Sequence, residues 1–187
     1  MQWTWIVLGI VAVLIVALIA TYNGLVARRQ RVRDAWANVD TELRRRLDLI
    51  PNVVETVKGY ASHEREVLER VTQARSAAAG AATPAAAAAA EGPLTAALRQ
   101  LFAVAEAYPD LKANQNFLAL QTELAATEDR IASMRSRYNG AVRDLNEAVQ
   151  RFPAVLIARS FGFSEEPYYE VEAAVRDAGA PKVDFSG

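Results

Sequence analysis

The first 27 residues, "MQWTWIVLGIVAVLIVALIATYNGLVA", contain no charged side chain, and this constrains the chain more than anything that follows. The apolar run from Trp3 to Ala20 approaches the ~20 residues that a helix needs to cross the hydrocarbon of a bilayer. Trp3 and Trp5 at one end and Tyr22 at the other stand where interfacial aromatic belts belong. Arg28, Arg29, Arg31 and Arg33 follow directly, and no Lys or Arg precedes the run. The positive-inside rule then predicts a single-pass anchor in the inner (plasma) membrane, N-terminus outside and C-terminal body cytoplasmic. A cleaved signal peptide is the main competing reading, and the missing basic n-region argues against it.

Past the anchor, the 187-residue chain has room for one domain. Hydrophobic residues make up 52% but aromatics only 8%, because alanine supplies much of the apolar count. Alanine costs least in helix and adds little to a strand core, so the expected class is all-α. A net charge of −1 creates no global field for nucleic acid, and none is expected as a partner. The absence of cysteine excludes disulfides, thiolate catalysis and cysteine-bound zinc.

From Tyr22 onward an apolar seam repeats in sevens. One column holds Tyr22, Arg29, Trp36, Leu43, Ile50, Val57, Glu64 and Val71. Its partner holds Leu25, Val32, Val39, Arg46, Val53, Tyr60, Val67 and Ala74, and Leu47, Val54, Ala61 and Leu68 widen the stripe. This is the period of a long amphipathic helix packed on other helices. Pro51 falls inside it without shifting the phase. A kinked helix fits the retained phase. A restart is the alternative, since Asn52 and Glu55 have capping-box spacing. A second seam from Leu111 to about Val155 joins Phe117, Leu124, Ile131, Tyr138, Leu145 and Phe152 with Leu120, Thr127, Met134, Ala141 and Ala148. Between the two, "SAAAGAATPAAAAAAEGP", Ser76 to Pro93, reads as a mobile low-complexity connection. A short helix then precedes Tyr108-Pro109. The organisation expected is an anchor and junction over 1–27, a helical bundle over 28–163 with the connection at 76–93, and an extended aromatic tail over 164–187. Phe161, Phe163, Tyr168, Tyr169 and Phe185 would pin that tail to the bundle.

Chemistry is sparse. His63 is the sole histidine, and no phosphate loop, dinucleotide fingerprint or nucleophile elbow occurs. No catalytic residue, metal or cofactor is expected. A Ser–Lys dyad through Lys58, Lys112 or Lys182 leaves little linear trace and stays open. Charges on the seam stand out instead. Long side chains can snorkel to the bundle edge. Alternatively, Arg46 crosses to a carboxylate, with Glu123 or Glu128 as candidates, and sets helix register.

"YNGLVARRQRVRDAWANVDTELRRRLDLIPNVVETVKGYASHE", "EAYPDLKANQNFLALQTELAATEDRIASMRSRYNGAVRDLNEAVQRFP" and the closing "FGF…PYYE…VDF" resemble, in order, the signature of the LemA family. Matching positions include Trp36, Asp40, Arg45, Arg46, Asp48, Pro51, Asn52, Glu55, Lys58, Gly59 and His63. The second block matches at Glu106, Tyr108, Pro109, Lys112, Asn116, Glu123, Glu128, Tyr138, Asn139 and Asn146. Leu47 and Leu145 depart from the family pattern. The resemblance implies an N-terminally anchored antiparallel bundle of three to four helices, and it carries over no catalytic residues. The leading expectation is a non-enzymatic scaffold or interaction module, in contact with membrane lipids through its span and with a protein partner through Asp48, Asn52, Glu55, Lys58 and Gly59. Gly59 permits close approach either of that partner or of a neighbouring helix of the same bundle. The alternatives are a membrane-associated hydrolase or its regulatory subunit, acting through Ser62, Ser133, Ser136 or Ser160, and a membrane-remodelling protein that assembles as a homo-oligomer.

Overall fold

The computed structural model describes residues 2–170, and Phe185 with the rest of 171–187 lies outside them. Among the described residues the fold is all-α. Helix α1 spans Gln2–Tyr60, α2 Arg65–Ala79, α3 Pro84–Glu106, α4 Pro109–Lys112, α5 Gln115–Gln150 and α6 Val155–Ala158, followed by a 3-10 turn at Arg159–Phe161. The chain divides into two compact units, residues 1–36 with 137–167 and residues 37–136 with 168–187.

The first unit carries the apolar run, which is long and apolar enough to cross a membrane and is not buried by the other described residues. Beyond it, Leu25 and Val32 of α1 are buried, as are Val142, Leu145 and Val149 of α5. Trp36 meets Tyr138 edge to face, with ring centroids 5.7 Å apart. Tyr22 contacts Phe161 and Phe163 in the same manner at 5.2 and 5.7 Å. Within this unit, lower numbers on α1 therefore meet higher numbers beyond Tyr138, which is antiparallel packing. The α6 turn ends on Gly162 at φ 70°, a left-handed position that favours glycine. The Phe163 amide donates to the Ala158 carbonyl and the Gly162 amide to Arg159, closing the helix in a Schellman motif.

In the second unit, α1, α2, α3, α4 and α5 share one core. Ile50, Val53, Val57, Leu68, Val71, Leu94, Leu101, Leu111, Phe117 and Leu124 are all buried in it. Helices α2 and α3 form an antiparallel hairpin, fixed by Tyr108 donating to Glu64 at 3.4 Å and by Arg70 donating to Gln100 at 2.8 Å. Asn114 caps α5 by accepting from the Phe117 amide.

One expectation is corrected here, and the choice at Pro51 between a continuous helix and a restart falls to the expected continuous helix. The stretch 76–93 is not a mobile connection: it is helical except at residues 80–83. Thr83 caps α3 through the Ala86 amide, and Pro84 sits at the helix start, where its missing N–H is harmless. Alanine's helix propensity, together with buried Ala87, Ala97 and Ala105, seats this helix against the core. The chain also does not restart at Pro51. Helix α1 runs through that residue and ends ten residues later, at the turn Ala61–Glu64, before α2 begins. Seven-residue phase is retained across that turn, because Ala61, Leu68 and Val71 all face the core. Retained phase alone therefore does not exclude a break.

The proline is accommodated by a side chain. In an unbroken α-helix the N–H of residue 51 would bond the Leu47 carbonyl, and proline has none. Arg75 Nε, from α2, donates to the Leu47 oxygen at 2.8 Å instead.

Candidate functional site

At the centre of the second unit a guanidinium is buried among helices. Arg46, on the core stripe of α1, is 2% exposed. Its Nη1 and Nη2 engage both carboxylate oxygens of Glu91 on α3 at 3.0 and 2.6 Å, and Nη1 also donates to Glu128 on α5 at 2.9 Å. Tyr169 donates to Glu91 at 3.3 Å. Burial pulls the Arg46 guanidinium down, but the hydrogen bonds and charges of Glu91 and then Glu128 outweigh it and hold it protonated above its ordinary value. Burial first, and the Glu91 charge second, push the Tyr169 hydroxyl upward. One buried pairing thus ties α1, α3, α5 and the residue 169 segment together. Of the two expected candidates, Glu128 pairs with Arg46, whereas Glu123 accepts from Arg45 at 3.0 Å on the surface instead. Glu91 was hidden from sequence reasoning inside the alanine-rich stretch, where the one carboxylate among small side chains is the signal that could have found it.

Neighbouring ion pairs repeat the α1–α5 register. Arg130 donates to Glu42 at 2.9 Å and also to Thr127, whose own hydroxyl bonds the Glu123 carbonyl. A cleft of about 290 Å³ opens beside the Arg46–Glu91 pair, lined by Asp40, Arg44, Arg75 and several alanines. Its chemistry is poor. Both oxygens of Glu91 already accept strong hydrogen bonds, so this carboxylate is a weak candidate for a base.

The strip Asp48, Asn52, Glu55, Lys58 and Gly59 is exposed along α1, and Asp48 at its start also lines this cleft. Among the described residues the strip's ion pair, Lys58 to Glu55 at 3.4 Å, is solvated and contributes little. A Cβ added at Gly59 would meet nothing within 4 Å, so no helix among the described residues approaches it closely enough to require a glycine. Gly59→Ala should therefore raise stability by about 0.5–1 kcal/mol from helix propensity alone, measured by denaturant titration. A loss instead would contradict the open surface.

In the first unit, the arginines that follow the span divide their roles. Arg29, a charge on the seam, lies over the Phe163 ring at 4.5 Å, a cation–π contact. Arg28 reaches back to the Gly24 carbonyl at 3.4 Å. Arg28, Arg31 and Arg137 line a cleft of about 310 Å³ with Gly140, Ala141 and Asp144. Arg33 is exposed, as are Trp3 and Trp5 at the far end of the span. The tail is held from below: Asn146, 7% exposed, donates to the Glu166 carbonyl at 3.0 Å and accepts from the Glu166 amide at 2.8 Å. Tyr138 donates to the Pro167 carbonyl at 3.0 Å.

Burial first, and the charge of Glu166 second, push the Tyr138 hydroxyl up to about 12. A folded value above the unfolded one, near 10, gives stability that is fully present below about pH 10 and lost as pH rises through about 12. Tyr138→Phe should lessen the alkaline loss of stability across that window, followed by circular dichroism. Parallel losses in wild type and variant would contradict the assignment.

The serines considered for a nucleophile, Ser62, Ser133, Ser136 and Ser160, are all exposed. Among the described residues Lys58 bonds Glu55 and Lys112 bonds Glu106, and neither reaches a serine. Lys182 lies outside the described residues.

Residues 35–185 match the LemA family. The chain is 26% identical to the magnetosome protein MamQ of Magnetospirillum gryphiswaldense over 194 residues, covering 90% of this chain and 71% of that protein. A magnetosome protein MamQ of Paramagnetospirillum magneticum matches to the same extent. Protein LemA of Metamycoplasma hominis is 26% identical over 134 residues, covering 70% of this chain and 60% of that protein.

Proposed function

Because the chain belongs to the LemA family, we propose that it works as a membrane-tethered helical bundle, a non-enzymatic scaffold or interaction module. The observation that carries this reading is α1 itself. One helix of 59 residues holds an apolar run that none of the other described residues buries and continues into the buried seam of a packed bundle. Leaving such a run in water would expose a far larger apolar surface than soluble proteins tolerate, and a bilayer removes it. Arg28, Arg29, Arg31 and Arg33 after the run support an N-terminus outside and a bundle in the cytoplasm, at the inner membrane. The polar strip Asp48, Asn52, Glu55, Lys58 and Gly59 is the surface we assign to a protein partner, because it is exposed and leaves the space over Gly59 open.

Two experiments test this. The full chain should stay in the membrane pellet after alkaline carbonate washing, and a covalent serine probe should label none of Ser62, Ser133, Ser136 and Ser160. Release into the supernatant would overturn the tether, and a labelled serine would favour a hydrolase. A photoreactive group at position 59 in membranes should give an intermolecular product that Lys58→Glu suppresses. Intramolecular products alone would remove the docking face.

A further inference from the structure

Among the described residues, the large exposed apolar side chains after α5 other than Tyr168 fall in one short stretch of the first unit. Phe152, Val155, Leu156 and Phe161 are 79%, 44%, 68% and 49% exposed. Ala154, Ala158 and Phe163 between them are buried, so the stretch has an inner face that packs and an outer face that does not. Four large apolar side chains grouped on the surface in this way mark a contact site.

The position of the stretch identifies what covers it. The Phe161 ring touches Tyr22. Tyr22 is two residues past Ala20, or ~3 Å further along the helix axis at 1.5 Å per residue. The polar headgroup layer extends ~5–8 Å beyond the hydrocarbon on each side, so a span ending near Ala20 places Phe161 within that layer. The charges nearby are ordered accordingly. The Arg28 guanidinium lies back to the level of Gly24, ~6 Å past Ala20. With Arg31 and Arg137 it lines the cleft that holds Asp144 as its one carboxylate. None of these three arginines makes an ion pair among the described residues. Apolar groups at the hydrocarbon boundary with cationic groups one or two turns above them are the arrangement of an element lying in a bilayer interface.

We propose that the stretch from Arg151 to Phe163 is a second membrane contact: its outer face enters the interface of the leaflet from which α1 emerges, and Arg28, Arg31 and Arg137 stand among the anionic headgroups above it. The chain then meets the bilayer at two points of the first unit, the span and this stretch. This rests on the reading of α1 as a span.

The chain has no cysteine, so single cysteines can be labelled without background. An environment-sensitive nitrobenzoxadiazole label is placed on the full chain by Phe152→Cys or Leu156→Cys, both exposed positions, in vesicles of phosphatidylcholine and phosphatidylglycerol with spin-labelled lipid. Leu14→Cys reports the span, and the exposed Asp34→Cys reports a level further from it. Emission at 152 and 156 should shift to the blue and be lost to a shallow quencher, emission at 14 should be lost to a deep one, and emission at 34 should do neither. If 14 is quenched while 152 and 156 behave like 34, the second contact is overturned and the span stands. If 14 is not quenched, the span itself fails and the second contact fails with it.

Discussion

Arg46→Ala should lower the unfolding free energy by about 3–5 kcal/mol, whereas Arg45→Ala, one residue away, should cost under ~1 kcal/mol. The two arginines differ in surroundings rather than in charge. Arg45 and its partner Glu123 are about half exposed, with side-chain accessibilities of 51% and 43%, so water replaces whatever is lost. Arg46 and Glu91 are at 2% and 8%. Removing Arg46 strands a carboxylate that is only 8% exposed and already accepts from Tyr169. A buried ion pair adds little net stability over an apolar pair of similar size. The same reasoning therefore requires a rescue: Arg46→Met combined with Glu91→Leu should recover most of the loss. Denaturant titration of the full chain in detergent measures all of these. Equal, small losses for Arg45→Ala and Arg46→Ala would remove the buried pair as an organising element.

The second large effect concerns Pro51. Arg75→Ala should cost about 1.5–3 kcal/mol, the range for a hydrogen bond donated by a charged group, because it leaves the Leu47 carbonyl without the donor that replaces the missing N–H. Pro51→Ala should abolish most of that cost, since alanine restores the backbone donor to the same oxygen. The cycle of Pro51→Ala and Arg75→Ala should show coupling above ~1 kcal/mol. Additive effects would mean that Arg75 matters for some other reason.

Much of the fold was legible because α-helical burial leaves a period. Val39, Leu43, Ile50, Val53 and Val57 on the first seam are buried, and so are Phe117, Leu124, Ile131, Tyr138 and Leu145 on the second. Arg46 was legible as an anomaly, a long cation where the stripe demands an apolar group. Its main partner was not. Glu91 lies 45 residues away, among alanines whose low complexity imitates a linker, although the same residues are the best helix formers. The turn at Ala61–Glu64 was missed because it contains neither glycine nor proline and preserves the phase of the seam. Asn146 was visible as a position of the family resemblance, but that it pairs with the backbone of Glu166 depends on a chain reversal that periodicity does not encode. The arginines after the span were legible as topology signals, while the placing of Arg29 over Phe163 required the fold.

Helix α1 runs through Pro51 to Tyr60 without a break and buries Ile50, Val53 and Val57 in the core of the second unit. Amide hydrogen exchange of the full chain in lipid nanodiscs tests this most directly. The account predicts slow exchange at Ile50, Val53 and Val57 comparable to that at Val39 and Leu43, with fast exchange first appearing at Ser62 and His63. Rapid exchange at Asn52 to Val54, with protection running unbroken from Val57 to Val71, would contradict it.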